Sequence, residues 1–379
     1  MPTFVFHPDY HRYHFGPEHP FSPVRQEMLL TLLETLGVPL SSSEPAPASH
    51  EALCTVHDAA LVDAVAQATP DDPATHDTAK GLGTADVPVF EGMHDAARLL
   101  VGGTLHAAQA VASGQTPRAL QLGGGLHHGH AALASGFCVY NDLSVAIHQL
   151  RQEGLRVAYL DVDVHHGDGV QALHYDDPDV LTLSLHETGR YLFPGTGRVH
   201  EVGRGAGKGY SLNVPLEPFT EDDSYLDVFE RVVPYALDHF QPDVLLVQCG
   251  ADAHFSDPLA DLLLTTHGFE RLFRRIMELT DEHAGGRAVF TLGGGYAPDA
   301  TVRIWALLIL LLQDHPLPEA LPEDWVAAWS ETLGTDLTPT LHDAPQSFDS
   351  PRRDTIASQN TQVSKRLLEL VAPAWYRAW

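Results

Sequence analysis

The chain is governed by one alternating pattern. Short β-rich runs, several of them continuously apolar, each give way to a turn and then to a longer helical pattern. The runs cover residues 3–6, 118–122, 156–161, 180–185, 243–249 and 287–292. The helical patterns cover 23–36, 94–112, 141–153, 222–240, 266–283 and 298–312. A strand that is apolar on both faces needs cover on both faces. Strands alternating with helices supply it, so the pattern predicts a three-layer α/β/α domain on a parallel sheet. Segments 41–49, 69–77, 189–209 and 334–353 are rich in Gly, Pro, Ser or Asp and are expected to be loops. None is long or simple enough for an interdomain linker, there is no internal repeat, and the chemistry-bearing residues follow strand ends along the chain. A single domain over residues 1–379 is therefore expected.

Composition narrows the function classes. The net charge is −28, and lysine occurs only at Lys80, Lys208 and Lys365. That excludes the basic footprint of a general nucleic-acid binder and suits cationic substrates, although solubility alone is served equally well. The three cysteines, Cys54, Cys138 and Cys249, are far apart and form no C-x-x-C, which fits a reducing compartment. The opening residues lack the basic-then-apolar pattern of a signal peptide, and the apolar run 304–312 is too short to span a bilayer. A cytoplasmic protein with no membrane contact is expected.

The strongest local signal is Asp161-Val162-Asp163-Val164-His165-His166-Gly167-Asp168-Gly169, directly after an apolar strand. Pleat alternation would turn Asp161, Asp163 and His165 to one side. Carboxylates and an imidazole at a strand's C-terminal end suit a divalent metal. The glycines fit ordinary turn chemistry, but three such groups on one face are costly to bury without a metal or partners. A second signal is Gly123-Gly124-Gly125-Leu126-His127-His128-Gly129-His130. Adjacent histidines at a glycine turn are candidates for acid–base work, or members of a solvated loop in a chain with 24 histidines; His130 is expected at the surface. Asp252, in Gln248-Cys249-Gly250-Ala251-Asp252-Ala253-His254, is a third ligand or a helix N-cap. Tyr296, on the turn Gly293-Gly294-Gly295, is a hydroxyl donor or a packed aromatic. There is no H-E-x-x-H helix and no G-x-S-x-G elbow, and the Gly203–Gly209 run lacks Walker spacing.

Taken in order, these motifs resemble the zinc-dependent histone deacetylase superfamily, which includes acetoin-utilisation proteins and acetylpolyamine amidohydrolases. The resemblance also takes in the segments beginning at His19, Gly136, Ser184, Phe193, Asn213 and Gly250. It implies the arginase–deacetylase fold, with a parallel sheet near eight strands. It implies one Zn2+ on Asp163, His165 and Asp252, with an open position for water and substrate. His128 would be the general base and then acid, and His127 its electrostatic companion. Asp161 would back His127, and Asp168 would back His128. Tyr296 would donate to the oxyanion, and Phe137 and Phe193 would wall a narrow tunnel that Gly136 and Leu259 also line. Asp86 would be a rim aspartate, and Arg25 would stand near an acetate exit, a structural salt bridge being its plainer role. A structural K+ or Na+ would be held by Asp161, Asp163, His165, Ser184 and the Leu185 carbonyl. One departure is Gly129, where alanine is common, which would loosen that turn slightly.

The resemblance makes the substrate an acetylated protein, peptide or small acetyl-amine. Leu259 stands where polyamine-specific relatives tend to carry glutamate, which favours acetyl-lysine over acetylpolyamines. An arginase-like dimetal hydrolase and a non-catalytic acyl-lysine binder are the further alternatives. Native metal (Zn, Fe or Co), acyl-chain preference and oligomeric state are left open by the sequence.

Overall fold

A computed structural model describes residues 2–38, 40 and 42–375. Ser41, at the head of the first expected loop, and residues 376–379 lie outside the described residues. The centre is one sheet of eight strands, all paired in parallel: β1 (Thr3–Val5), β2 (Ser42–Ser43), β3 (Arg118–Gln121), β4 (Val157–Asp161), β5 (Val180–Glu187), β6 (Ser211–Leu216), β7 (Val244–Gln248) and β8 (Ala288–Thr291). Their order is β2-β1-β3-β8-β7-β4-β5-β6. The helices are α1 (Val24–Thr35), α2 (His50–Leu53), α3 (Ala59–Gln67), α4 (Met93–Ala112), α5 (Asp142–Gln152), α6 (Asp168–His174), α7 (Asp222–Phe240), α8 (Thr266–Ala284), α9 (Pro298–Leu312), α10 (Glu323–Leu333) and α11 (Arg353–Trp375).

Period-two alternation along the buried strands sorts the core into two layers. Val157 and Tyr159 of β4, Val244 and Leu246 of β7 and Val289 of β8 pack with Ala107, Ala108, Leu143 and Ile147 of α4 and α5. The intervening Ala158, Leu160, Leu245, Val247 and Phe290 pack with α1, α7, α8 and α9. The apolar run in α9 is a fully buried helix, with Ile304 to Leu310 at most 2% exposed. No helix among the described residues is long and apolar enough to cross a membrane.

The six expected strands and six expected helices are all present, with ends displaced by a residue or two. Two strands were not anticipated. β2 is only two residues long and lies in an expected loop. β6 contains Pro215, which argues against a central strand; it occupies the sheet edge, where a missing N–H is tolerated. Its outer side is covered by α11, which also packs on α7.

Candidate active site

Strands β3, β8, β7 and β4 are neighbours, and their C-terminal ends open onto one edge. The segments that follow them carry His127 and His128, Tyr296, Asp252, and Asp163 with His165. Parallel pairing is therefore what assembles residues scattered between positions 127 and 296 of the sequence.

At the centre, Asp163, His165 and Asp252 are buried with one donor atom from each within 4.8 Å of the others. His165 Nδ1 lies 3.2 Å from Asp163 Oδ1 and 3.2 Å from Asp252 Oδ2. The second oxygen of each carboxylate is already occupied. Asp163 Oδ2 accepts from Gln248 Nε2 (2.7 Å) and the Gly294 amide (3.0 Å), and Asp252 Oδ1 accepts from the Val164 amide (2.9 Å). These bonds aim the remaining oxygens at the imidazole. Gly294 is required here, because a Cβ would meet Asp252 Oδ2 at 2.0 Å.

Burial disfavours a charged His165, but the two flanking carboxylates outweigh it and push the imidazole up to about 10. Burial and the Asp163 charge together push Asp252 up to about 7. The two carboxyl groups thus favour a proton on His165, the group between them. A divalent metal would take that proton's place, and one imidazole with two carboxylate oxygens is a donor set that zinc accepts. The residues fit the ion.

The placement of these ligands differs from the expectation in one respect. β4 ends at Asp161, so the pleat does not orient Asp163 and His165. Bends over residues 163–165 bring them together instead, while Asp161 turns to Tyr159 and His127. Asp252 starts no helix, so the capping alternative does not hold.

The two histidines are each 4% exposed and not part of a solvated loop. His127 Nδ1 lies 2.9 Å from Asp161 Oδ2, which also accepts from Tyr159 Oη at 2.7 Å. His128 Nδ1 lies 2.7 Å from Asp168 Oδ1. A carboxylate only accepts here, so each Nδ1 carries hydrogen and each Nε2 is turned away from its carboxylate. Their environments then diverge. Burial lowers His127, but the charges of Asp161 and Asp163 exceed that effect and raise it to about 9. Burial and the neighbouring His127 hold His128 down to about 4. The carboxylates thus favour the protonated form of His127 and burial the neutral form of His128, a separation that suits paired groups to different roles.

Around this centre, Phe193 is 45% exposed and stands edge-on to His128, ring centroids 5.0 Å apart. Phe137 stands edge-on to Tyr296 at 5.8 Å. Tyr296 is half-buried, its hydroxyl held well above its ordinary pKa by burial and nearby carboxylates, and its amide donates to Asp257 Oδ2 at 2.7 Å. Asp257 Oδ1 accepts from the Leu259 amide at 3.0 Å. Gly136 and Phe137 both have positive φ, 55° and 63°, a strained state for a phenylalanine. A Cβ on Gly136 would meet His128 Cδ2 at 2.2 Å. Tyr13 pins this segment, donating to the Phe137 carbonyl (2.7 Å) and accepting from the Val139 amide (3.0 Å). Asp86 Oδ2 accepts from the Gly136 amide at 2.6 Å, so this aspartate braces the same segment.

Arg25 is 4% exposed and has no carboxylate partner among the described residues, so the salt-bridge role does not apply. It donates to the carbonyls of Gly295 (2.6 Å), Ser22 (3.1 Å) and Gly293 (3.4 Å), and its guanidinium lies over the rings of Phe21, Trp305 and Tyr296. The β4–β5 register sets Asp161 opposite Ser184, with Leu185 next along β5. The Asn141 amide would lie 2.9 Å from a Cβ at Gly129, so the space is filled by backbone.

Sequence reasoning missed several contributors. His130 is half-buried and shares Asp168 with His128, its Nε2 lying 3.1 Å from Asp168 Oδ2. Gln248, Asp257 and Tyr13 hold the site in shape, and of these only Gln248 and Asp257 fell inside quoted motifs. His57 accepts from the Asn141 amide (3.0 Å) and bonds through Nδ1 to the His130 carbonyl (2.9 Å), with no sequence signal to mark it.

The histone deacetylase domain family matches residues 19–312. The chain is 44% identical over 372 residues to the acetoin utilization protein AcuC of Bacillus subtilis (strain 168), covering 96% of each. It is 34% identical to the AcuC protein of Staphylococcus aureus (strain MSSA476), covering 97% of this chain and 95% of that one. Among solved structures, an HDAC homolog complexed with SAHA superposes with a TM-score of 0.85 at 28% identity, covering 96% of this chain and 99% of that one. An HDAC homolog from Aquifex aeolicus gives 0.82 at 27% identity, covering 95% and 100%.

Proposed function

The chain belongs to the histone deacetylase family and has its arginase–deacetylase fold, and on that footing we propose that it is a zinc-dependent amidohydrolase removing acetyl groups from lysine side chains of proteins or peptides. The observation that carries this reading is a buried three-donor cluster set beside two buried histidines, each bonded through Nδ1 to a carboxylate. Zinc held by Asp163, His165 and Asp252 would supply polarisation of the acyl oxygen and of a water.

The chain's own residues do the rest. Neutral His128, oriented by Asp168, takes a proton from the attacking water at Nε2 and returns it to the departing amine. Cationic His127, backed by Asp161, stabilises negative charge as it develops. Tyr296 donates its hydroxyl hydrogen to the oxyanion. Phe137 and Phe193 grip the alkyl chain, with Gly136 and Leu259 completing the lining. Asp86 holds the rim, keeping Gly136 in place with one carboxylate oxygen and offering the other to the substrate backbone. Arg25, without a carboxylate partner among the described residues, meets the departing acetate. A structural K+ or Na+ on Asp161, Asp163, His165, Ser184 and the Leu185 carbonyl completes the assignment.

Asp161 and Asp168, the carboxylates a second metal would need, are each bonded to an imidazole, which supports one catalytic ion over a dimetal reading. Tyr296→Phe and His128→Ala test the roles. Each should keep its zinc and lose about 10²-fold or more in kcat. Full turnover in both variants would remove the mechanism.

A further inference from the structure

A second group of metal-donor side chains lies away from this site. His267, Glu270 and His342 place one donor atom each within 4.8 Å of the others. We propose that they bind a divalent transition-metal ion of the Zn2+ or Ni2+ class, which staples the 334–352 segment to the start of α8.

His267 and Glu270 stand three residues apart in the opening turns of α8, a spacing that puts both on one helical face. His342 comes from a remote, irregular segment. Its Nε2 lies 2.8 Å from Glu270 Oε2, and its ring stacks on His267 at 4.4 Å with 10° between planes. The other oxygen of Glu270 accepts from Arg274 Nε at 2.8 Å, which orients the carboxylate as an outer partner does at a metal site. Two imidazoles and a carboxylate, with solvent on one side, form a donor set for zinc or nickel that leaves room for water.

The site is held in shape from beneath. Thr266 and Asp343, the neighbours of His267 and His342, are locked together. The Thr266 amide and hydroxyl both donate to Asp343 Oδ2 (2.8 and 2.9 Å), and the Asp343 amide donates to Thr266 Oγ1 (2.7 Å). Asp343 is buried and also bonds His254 (2.9 Å) and Arg303 (2.8 Å). The two backbones that carry the histidines are therefore fixed before any ion arrives, which lowers the ordering cost of binding. The same aspartate connects this segment to His254, two residues beyond Asp252, so an ion here braces the wall of the candidate active site.

The test uses the full chain, stripped with a chelator, dialysed against a slight molar excess of Zn2+ over two equivalents and then freed of unbound ion, with bound zinc measured by elemental analysis. His267→Ala, at an exposed helical position, should bind one zinc equivalent fewer than wild type, and its zinc-free melting temperature should be unchanged. His342→Ala should repeat the loss. Zinc should raise the wild-type melting temperature further than that of either variant. Equal zinc content in wild type and both variants overturns the site, because His342 and Glu270 are then only a hydrogen-bonded pair. If wild type holds a single equivalent that His267→Ala lacks, the surface site stands and the catalytic zinc assignment fails, so the two readings fail separately.

Discussion

At the residue scale, one carboxylate serves two rings. Asp168 bonds His128 through Oδ1 and His130 through Oδ2, and burial notwithstanding, these two partners hold it well below its ordinary pKa. A donor on the second oxygen weakens the pull of Asp168 on His128. His130→Ala should therefore make His128 more basic and move the acid limb of kcat/KM upward, by about half a unit, with kcat within ten-fold of wild type. A superimposable pH profile would show that His130 has no part in tuning. Asp163, His165, Asp252, the histidine pair and Tyr296 stood out in the sequence as candidates because they follow apolar strands beside glycines, and the order of the motifs, more than any one of them, weighed toward chemistry. His130 did not, because only the fold reveals that its ring reaches the Asp168 carboxylate.

At the element scale, the segment 136–139, which packs against Tyr296, depends on a residue more than a hundred positions earlier. Tyr13→Phe removes the donor to the half-buried Phe137 carbonyl and the acceptor for the buried Val139 amide. Orphaning such groups costs on the order of 1–3 kcal/mol. Because Phe137 holds positive φ, the loss should fall on that segment: a lowered melting temperature and a raised KM, with zinc content unchanged. An unaltered KM would mean that Tyr13 supports only the core. The β-α alternation was readable because buried parallel strands are continuous apolar runs. β6 was not, because Pro215 breaks the run; its place at the edge under α11 is fixed by tertiary contact. The pleat argument failed past Asp161, where the strand stops and bends take over.

At the scale of the whole molecule, buried histidines set the response to acid. Burial lowers His57, His166 and His174 to about 4 each. Their folded-state values lie below the unfolded value near 6.5, so the unfolded chain gains protons first as pH falls. These rings should withdraw stability progressively between about pH 6.5 and 4, by on the order of 3 kcal/mol for a fully neutral-locked ring at ~1.4 kcal/mol per unit, against the opposite slope of the raised Asp252 carboxyl. His57→Gln should flatten the fall of melting temperature between pH 7 and 5 relative to wild type, and an equally steep fall would contradict this origin. The net charge of −28 acts differently, drawing cationic chains toward the surface in a salt-dependent way. The most direct test of the central claim is acetate release by purified protein from an acetyl-lysine peptide, beside acetylspermidine and acetylputrescine, with and without a chelator. The account predicts acetate from the peptide that stops on chelation and returns with zinc. Release from the polyamines alone, or none from a zinc-loaded protein, would contradict it.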